Sequence, residues 1–287
     1  MAVMRETSSQ TLLEGDFDFV FERSRGPRSL KLRELWSYRE LLYFLTWRDV
    51  KVRYKQSLLG ASWAVLQPVT AMFLFTIVFG HIAKISSDGI PYPIFSYSAL
   101  LPWYLFASAV QLSALNLVSS SNLITKVYFP RIFLAASPAI AGLLDLALGM
   151  VVLFGLMAYY GVAPSIGALA LPFFVLLAMA AALGVGAWLS ALNVKYRDVR
   201  FVVPFFVQIW FFATPVVYSV ASLAQPWRTL YALNPMTGAV EGFRWALAGV
   251  AAPSGGTLLV SFLSAAAIFF LGAYYFGRAE RYFADLI

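Results

Sequence analysis

The 287-residue chain has no cysteine, a single histidine, and only 12% Asp, Glu, Lys and Arg. Without cysteine there is no disulfide framework, no thiolate metal site and no thiol nucleophile. The lone His81 forms neither a metal centre nor a catalytic triad, and reads as an interfacial residue near a helix end. No Gly-Lys dipeptide occurs, so the phosphate-cradling loop G-x-x-x-x-G-K-[ST] is absent. Nothing here is expected to bind a cofactor. The first sixty residues also lack a short apolar core before a small-residue cleavage site, and do not read as a signal peptide.

What the chain has in surplus is apolar surface: 61% hydrophobic and 17% aromatic residues. A soluble domain carries roughly a quarter charged residues, so this composition calls for a lipid solvent. Six runs match the hydrocarbon thickness, each about 20 or more residues and almost free of charge. They are Ala61 to Ala83, Tyr97 to Val118, Ile132 to Tyr160, Ile166 to Leu192, Phe201 to Val220 and Thr257 to Gly277. The expected fold is an all-α integral membrane protein with six transmembrane helices, spread over residues 61–277.

Before the first run, residues 34–60 have helical periodicity. Leu35, Tyr38, Leu41, Leu42 and Leu45 share one face, and Glu40, Arg48, Lys51 and Lys55 share the opposite sector, with Asp49 and Arg53 intruding on the apolar side. Trp36, Tyr43 and Trp47 on the flank suit the headgroup layer, and the segment reads as an amphipathic interfacial helix. Residues 1–33 form a polar cytosolic arm broken by Gly15, Gly26 and Pro27, and residues 278–287 a cytosolic tail.

The net charge of +7 is a topology signal and not a nucleic-acid footprint. Eighteen of the 21 Lys and Arg lie in residues 1–60, in the loops 119–131 and 193–200, and in the tail. By the positive-inside rule these segments and both termini are cytoplasmic. On the outer side, residues 221–256 are too long for a turn and too apolar for a solvated loop. They read as a re-entrant helical hairpin punctuated by Pro226, Pro235 and Pro253, with Asn234-Pro235 opening a helix and Glu241 pairing with Arg244 three residues on.

Residues able to carry chemistry are scarce. Asp145 is the sole carboxylate deep in a run, with no Lys, Arg or second acid inside the membrane to join it. It serves as a packing or protonated group, or as the site of an ion-coupled carrier. A membrane glycan-transfer enzyme would need converging acids or bases, and the outer side offers only Asp88 and Glu241.

Five blocks in order carry a resemblance. Leu41 to Pro68 (LLYFLTWRDVKVRYKQSLLGASWAVLQP), Leu101 to Phe106 (LPWYLF), Ser121 to Arg131 (SNLITKVYFPR), Leu192 to Arg200 (LNVKYRDVR) and Leu233 to Gly249 (LNPMTGAVEGFRWALAG) closely resemble permease subunits of polysaccharide ABC exporters of the O-antigen, capsule or teichoic-acid type. The resemblance implies a homodimer in the bacterial inner membrane, with two separate ATPase subunits that hold ATP and Mg. Its cargo would be a glycan on polyprenyl pyrophosphate, O-antigen first among the three. It also implies a coupling helix in the loop 119–131, carried by Asn122, Leu123, Ile124, Thr125, Lys126, Val127 and Tyr128. Ser119, Ser120 and Ser121 can cap that helix and Pro130 can end it. The interfacial helix becomes a gate, with Arg48, Lys51, Arg53 and Lys55 placed for the carrier's pyrophosphate or for anionic lipid. Candidates to line a channel are Trp63, Phe73, Trp103, Tyr104 and Trp210.

Overall fold

The computed structural model describes residues 32–55, 60 and 62–283; the arm up to residue 31, residues 56–59, residue 61 and residues 284–287 lie outside the described residues. Eleven α-helices follow one another with no strand among the described residues. Two short ones open the chain, α1 (Leu32–Ser37) and α2 (Arg39–Tyr54). Then come α3 (Ser62–Phe75), continued by a π turn over Thr76–Ile82, α4 (Tyr92–Ser119), α5 (Ser121–Lys126) and α6 (Ile132–Tyr159). A 3-10 turn over Ile166–Ala170 leads into α7 (Leu171–Lys195), followed by α8 (Val199–Phe212), α9 (Gln225–Ala232), α10 (Pro235–Ala248) and α11 (Gly255–Ala279).

Five of these helices are long and apolar enough to cross a membrane: Ser62–Ile82, Tyr92–Ser119, Ile132–Tyr159, Ile166–Lys195 and Gly255–Tyr282. The expected span from Phe201 to Val220 departs from this. Its helix, α8, has 14 residues and stops at Phe212, which at 1.5 Å per residue is about 21 Å. The cause is local: the residue before a proline avoids the α region, and Thr214 precedes Pro215. From there the chain runs without α-helix to α9. It still reaches the far end of the bundle, because the Tyr92 hydroxyl at the start of α4 donates to the Val217 carbonyl at 2.7 Å.

The core is built on α4, whose buried residues run from Tyr92 to Leu117 and include Tyr97, Trp103 and Phe106. Around it stand α6, α7, α8 and α10. On the other side of α7 lies α11, and their crossing is set by two glycines. A Cβ on Gly272 would stand 2.0 Å from the Gly184 carbonyl oxygen, so the two backbones touch as helices in lipid do when small residues meet. Gly272→Val is expected to force these helices apart and destabilise the chain by about 3 kcal/mol. A drop in thermal midpoint in detergent, absent for Gly277→Ala in open space, checks it.

A second apolar cluster closes one end of the bundle. Leu117 of α4, Phe133 and Leu134 of α6, Ala191 and Val194 of α7 and Phe276 of α11 meet Leu45 of α2 and Ile124 of α5. The buried Phe283, beyond the 3-10 turn Glu280–Tyr282, joins them, so part of the segment read as a tail is packed. Arg131 donates to the Glu280 carbonyl at 2.9 Å and ties α6 to the same place. Lys126, Arg131, Lys195, Arg197, Arg200, Arg278 and Arg281 all sit at this end, around the cluster.

Candidate functional site: the basic end and its two short helices

The apolar stripe expected over residues 34–60 is present, though the helix is interrupted at Tyr38, which leaves Leu35 on α1 and the leucines from Leu41 on α2. Leu35, Tyr38, Leu41, Leu42 and Leu45 pack into the second cluster, while Trp36, Tyr43, Phe44, Trp47 and Val52 are exposed. The helix does not lie flat across the bundle end. Asp49 meets Ser137 near the start of α6, and Arg53 meets Asp145 two turns further along, so α2 climbs along α6. The two residues that broke the apolar face both find polar partners on α6.

Those partners divide the four cations. Arg48 bonds Asp49 through Nε at 3.0 Å and Nη2 at 2.8 Å, Asn116 Oδ1 at 3.1 Å and Ser120 Oγ at 3.4 Å. Arg53 forms an ion pair with Asp145, and the Tyr54 hydroxyl donates to the second oxygen of the same carboxylate. Asp145 therefore has a cationic partner after all, brought by a helix outside the membrane runs and invisible to a count made within them. Lys51 and Lys55 stay exposed, Lys51 with its ammonium over the Trp47 ring.

In α5, Ile124 is buried and Leu123 half-buried in the apolar cluster, whereas Asn122 and Lys126 are exposed, as are Val127 and Tyr128 just beyond its end; Thr125 lies within the helix. The expected serine cap is not formed by Ser120: its hydroxyl and that of Ser119 turn back to Asn116. The helix also ends before Pro130, because Val127 is already extended. Sequence reasoning missed Asn116 and Ser137. A polar residue in the last turn of an apolar run was the available signal.

At the other end, Glu241 and Arg244 form no direct ion pair within 4.0 Å among the described residues, contrary to the spacing argument. Arg244, 3% exposed, instead donates to the carbonyls of Phe95 at 3.2 Å, Tyr218 at 3.3 Å and Val216 at 2.6 Å, with its guanidinium over the Phe95 ring at 3.6 Å. The non-helical stretch after α8 leaves carbonyls without helical donors, and the guanidinium fork supplies them. Glu241 still offsets part of its charge at longer range. Asn234 opens α10 by accepting from Met236 N–H at 3.0 Å, and Gly249 in the left-handed region closes it.

The channel candidates separate. Trp103 is 4% exposed and wedged between Phe106 and Phe211, and Trp210 packs on Phe106 and Phe206 while its Nε1 donates to Asn234 Oδ1 at 2.9 Å. Tyr104 is half-buried against the core. All three pack within this chain, Trp103 buried and the other two half-buried. Trp63 and Phe73 are exposed on α3, a helix that buries almost none of itself. Among the exposed residues of α8, Phe201, Phe205, Ile209 and Phe212 are four, four and three apart and form a stripe, with Val202 exposed beside it. A cavity of about 540 Å³ opens beside α9, lined by Ala213, Leu223, Trp227, Leu230, Tyr231 and Asn234. No cluster of three or more metal-ligating side chains exists among the described residues.

Similarity to known proteins specifies which kind of membrane bundle this is. Residues 40–248 match the family model of the ABC-2 type transporter membrane domain, and the chain belongs to that family. It is 33% identical to the O-antigen export system permease protein RfbA of Myxococcus xanthus over 216 residues, 74% of this chain and 82% of that one. It is 26% identical to the protein of the same name from Klebsiella pneumoniae over 206 residues, 71% and 79% of the two chains. The polysialic acid transport protein KpsM of Escherichia coli matches over 61 residues at 30% identity, 21% of this chain and 24% of that one.

Proposed function

We propose that this chain is the membrane subunit of an ATP-driven exporter that carries a polyprenyl-pyrophosphate-linked polysaccharide, O-antigen foremost, out across the bacterial inner membrane. In this reading it works as a homodimer with two ATPase subunits, which hold ATP and Mg and perform the only catalysis. The chain crosses six times, the short α8 and the stretch after it completing the fifth crossing, and both termini are cytoplasmic. The observation that carries the reading is α5: Leu123 and Ile124 sit in the bundle's basic end, while Asn122 and Lys126, and Val127 and Tyr128 just past the helix, are exposed. Such a helix gives a separate motor something to push.

The division among the α2 cations refines how the carrier would be met. Arg48 and Arg53 have internal partners, so the exposed Lys51 and Lys55 are the groups offered to a pyrophosphate. A path between two copies would draw on the exposed aromatics of α3 and α8, Trp63, Phe73, Phe205 and Phe212, whose faces stack on sugars without demanding charge. An ion-coupled carrier built on Asp145 is disfavoured because Arg53 and Tyr54 occupy both of its oxygens. The protein is not expected to bind nucleic acid.

Two measurements test this. Lys126→Ala with Tyr128→Ala, in the complex with the ATPase, is expected to leave ATP hydrolysis within about twofold and to lower glycan export at least about tenfold; unaltered export removes α5 from the coupling path. Cysteine introduced at Lys126 or Lys195, into a chain that has none, is expected to resist membrane-impermeant labelling of intact cells. Labelling from outside inverts the topology and ends the proposal.

A further inference from the structure

The polar group where α2, α4 and α6 meet is built around a joint. Ser120 is the single residue between α4 and α5, with φ −101° and ψ 22°, and any swing of α5 against the bundle turns about it. Its hydroxyl donates to Asn116 Oδ1 at 3.3 Å and accepts from Arg48 Nη1 at 3.4 Å. Asn116 Oδ1 accepts in turn from Arg48 Nη2 at 3.1 Å, while its Nδ2 donates to the Leu134 carbonyl at 2.8 Å and, at 3.4 Å each, to Asp49 and Ser137. Asp49 Oδ2 accepts from Ser137 Oγ at 2.5 Å. Five side chains from the joint and three helices thus form one connected network. Beside it, Leu45 of α2 and Ile124 of α5 lie in a common apolar cluster.

Two features distinguish this group from a simple staple of α2 onto the bundle. The bond from Ser137 to Asp49 would suffice for stapling, yet Arg48 reaches past it to the joint. And the α2 segment it holds is the one bearing the exposed Lys51 and Lys55. Hydrogen bonds in a partly dry network are stiff and polarise one another, so a turn of α5 changes the seat of Arg48 and Asp49 together.

We propose that Asn116, Ser120, Ser137, Arg48 and Asp49 are a mechanical link that makes α2 follow α5, so that the motor's push on α5 repositions the amphipathic helix. Asn116 is the positioning residue at its centre. The link rests on the reading of the chain as the membrane subunit of an ATP-driven exporter, and adds a residue-level route from its motor to its cytoplasmic entrance.

The test uses the complex with the ATPase, in proteoliposomes, with an environment-sensitive fluorophore on Val52→Cys, an exposed α2 position outside the network. ATP is expected to change the fluorescence of the unaltered complex. Asn116→Ala with Ser137→Ala is expected to cut that change at least fivefold and export of a polyprenyl-pyrophosphate oligosaccharide at least tenfold, with ATP turnover within twofold. Ser137→Ala alone, which removes one hydroxyl, is expected to give an intermediate response and keeps the measurement available if the double variant does not assemble. A full fluorescence response in assembled variants, or none in an unaltered complex that exports, overturns the link and leaves the exporter reading standing. An unaltered complex that hydrolyses ATP and exports nothing overturns both.

Discussion

Arg244→Ala is expected to destabilise the half of the bundle opposite the basic end more than any other single substitution considered. The side chain is buried and satisfies the carbonyls of Phe95, Val216 and Tyr218, which belong to α4 and to the non-helical stretch after α8. Truncation leaves the Val216 and Tyr218 carbonyls without a donor, in a place that water reaches poorly, while Phe95 keeps the Ser98 hydroxyl. Each such loss costs about 1–3 kcal/mol, so a total of about 4 kcal/mol is reasonable once relaxation is allowed. Arg244→Lys keeps the charge but has no planar fork, and is expected to recover less than half. Unfolding in detergent measures the difference. Limited proteolysis should find the new cleavage sites between residues 213 and 234; equal stability of all three proteins would show that the fork holds nothing.

Asp145→Ala ranks second. It strands Arg53 against the middle of α6 with its principal partner gone, and breaking a buried pair from one side costs about 3–5 kcal/mol. Both side chains keep some exposure, 22% for Arg53 and 23% for Asp145, so about 3 kcal/mol is the better expectation. The mirror variant Arg53→Leu strands Asp145 with Tyr54 alone. Replacing both by leucine removes the charges together and is expected to restore most of the stability, as apolar substitutes for buried pairs do. If the double variant loses the sum of the two single losses, the residues are not coupled and α2 is seated by its leucines. Export should fall in all three, since a leucine pair restores packing without the directional hold on α2.

Much of this architecture could be read from residue order, because hydropathy and helical period are local properties. The run from Ile132 to Tyr159 needs only its own composition to be recognised, and the spacing of Leu41, Leu42 and Leu45 is enough to orient α2, since the three fall on one face and are packed there. The end of α8 was legible in principle from Thr214-Pro215, but apolar residues continue to Val220 and hydropathy does not register where helical hydrogen bonding stops. The partners of charged residues were out of reach. Arg53 and Asp145 are 92 positions apart, and Arg244 chose carbonyls, which every residue possesses and no side-chain pattern reveals. Glu241 three residues away was the nearest visible candidate, and proximity in sequence lost to the unmet acceptors of a broken helix. For the same reason Trp103 and Trp210 looked equivalent to Trp63 and Phe73 until burial separated them.

The brevity of α8 bears on the lipid itself. Its 14 residues cover about 21 Å, against a hydrocarbon layer of about 30 Å. The remaining depth falls to the non-helical stretch that follows, and backbone without helical hydrogen bonds is tolerated at such depth only where protein covers it, as it does at the buried Val216 and Val217.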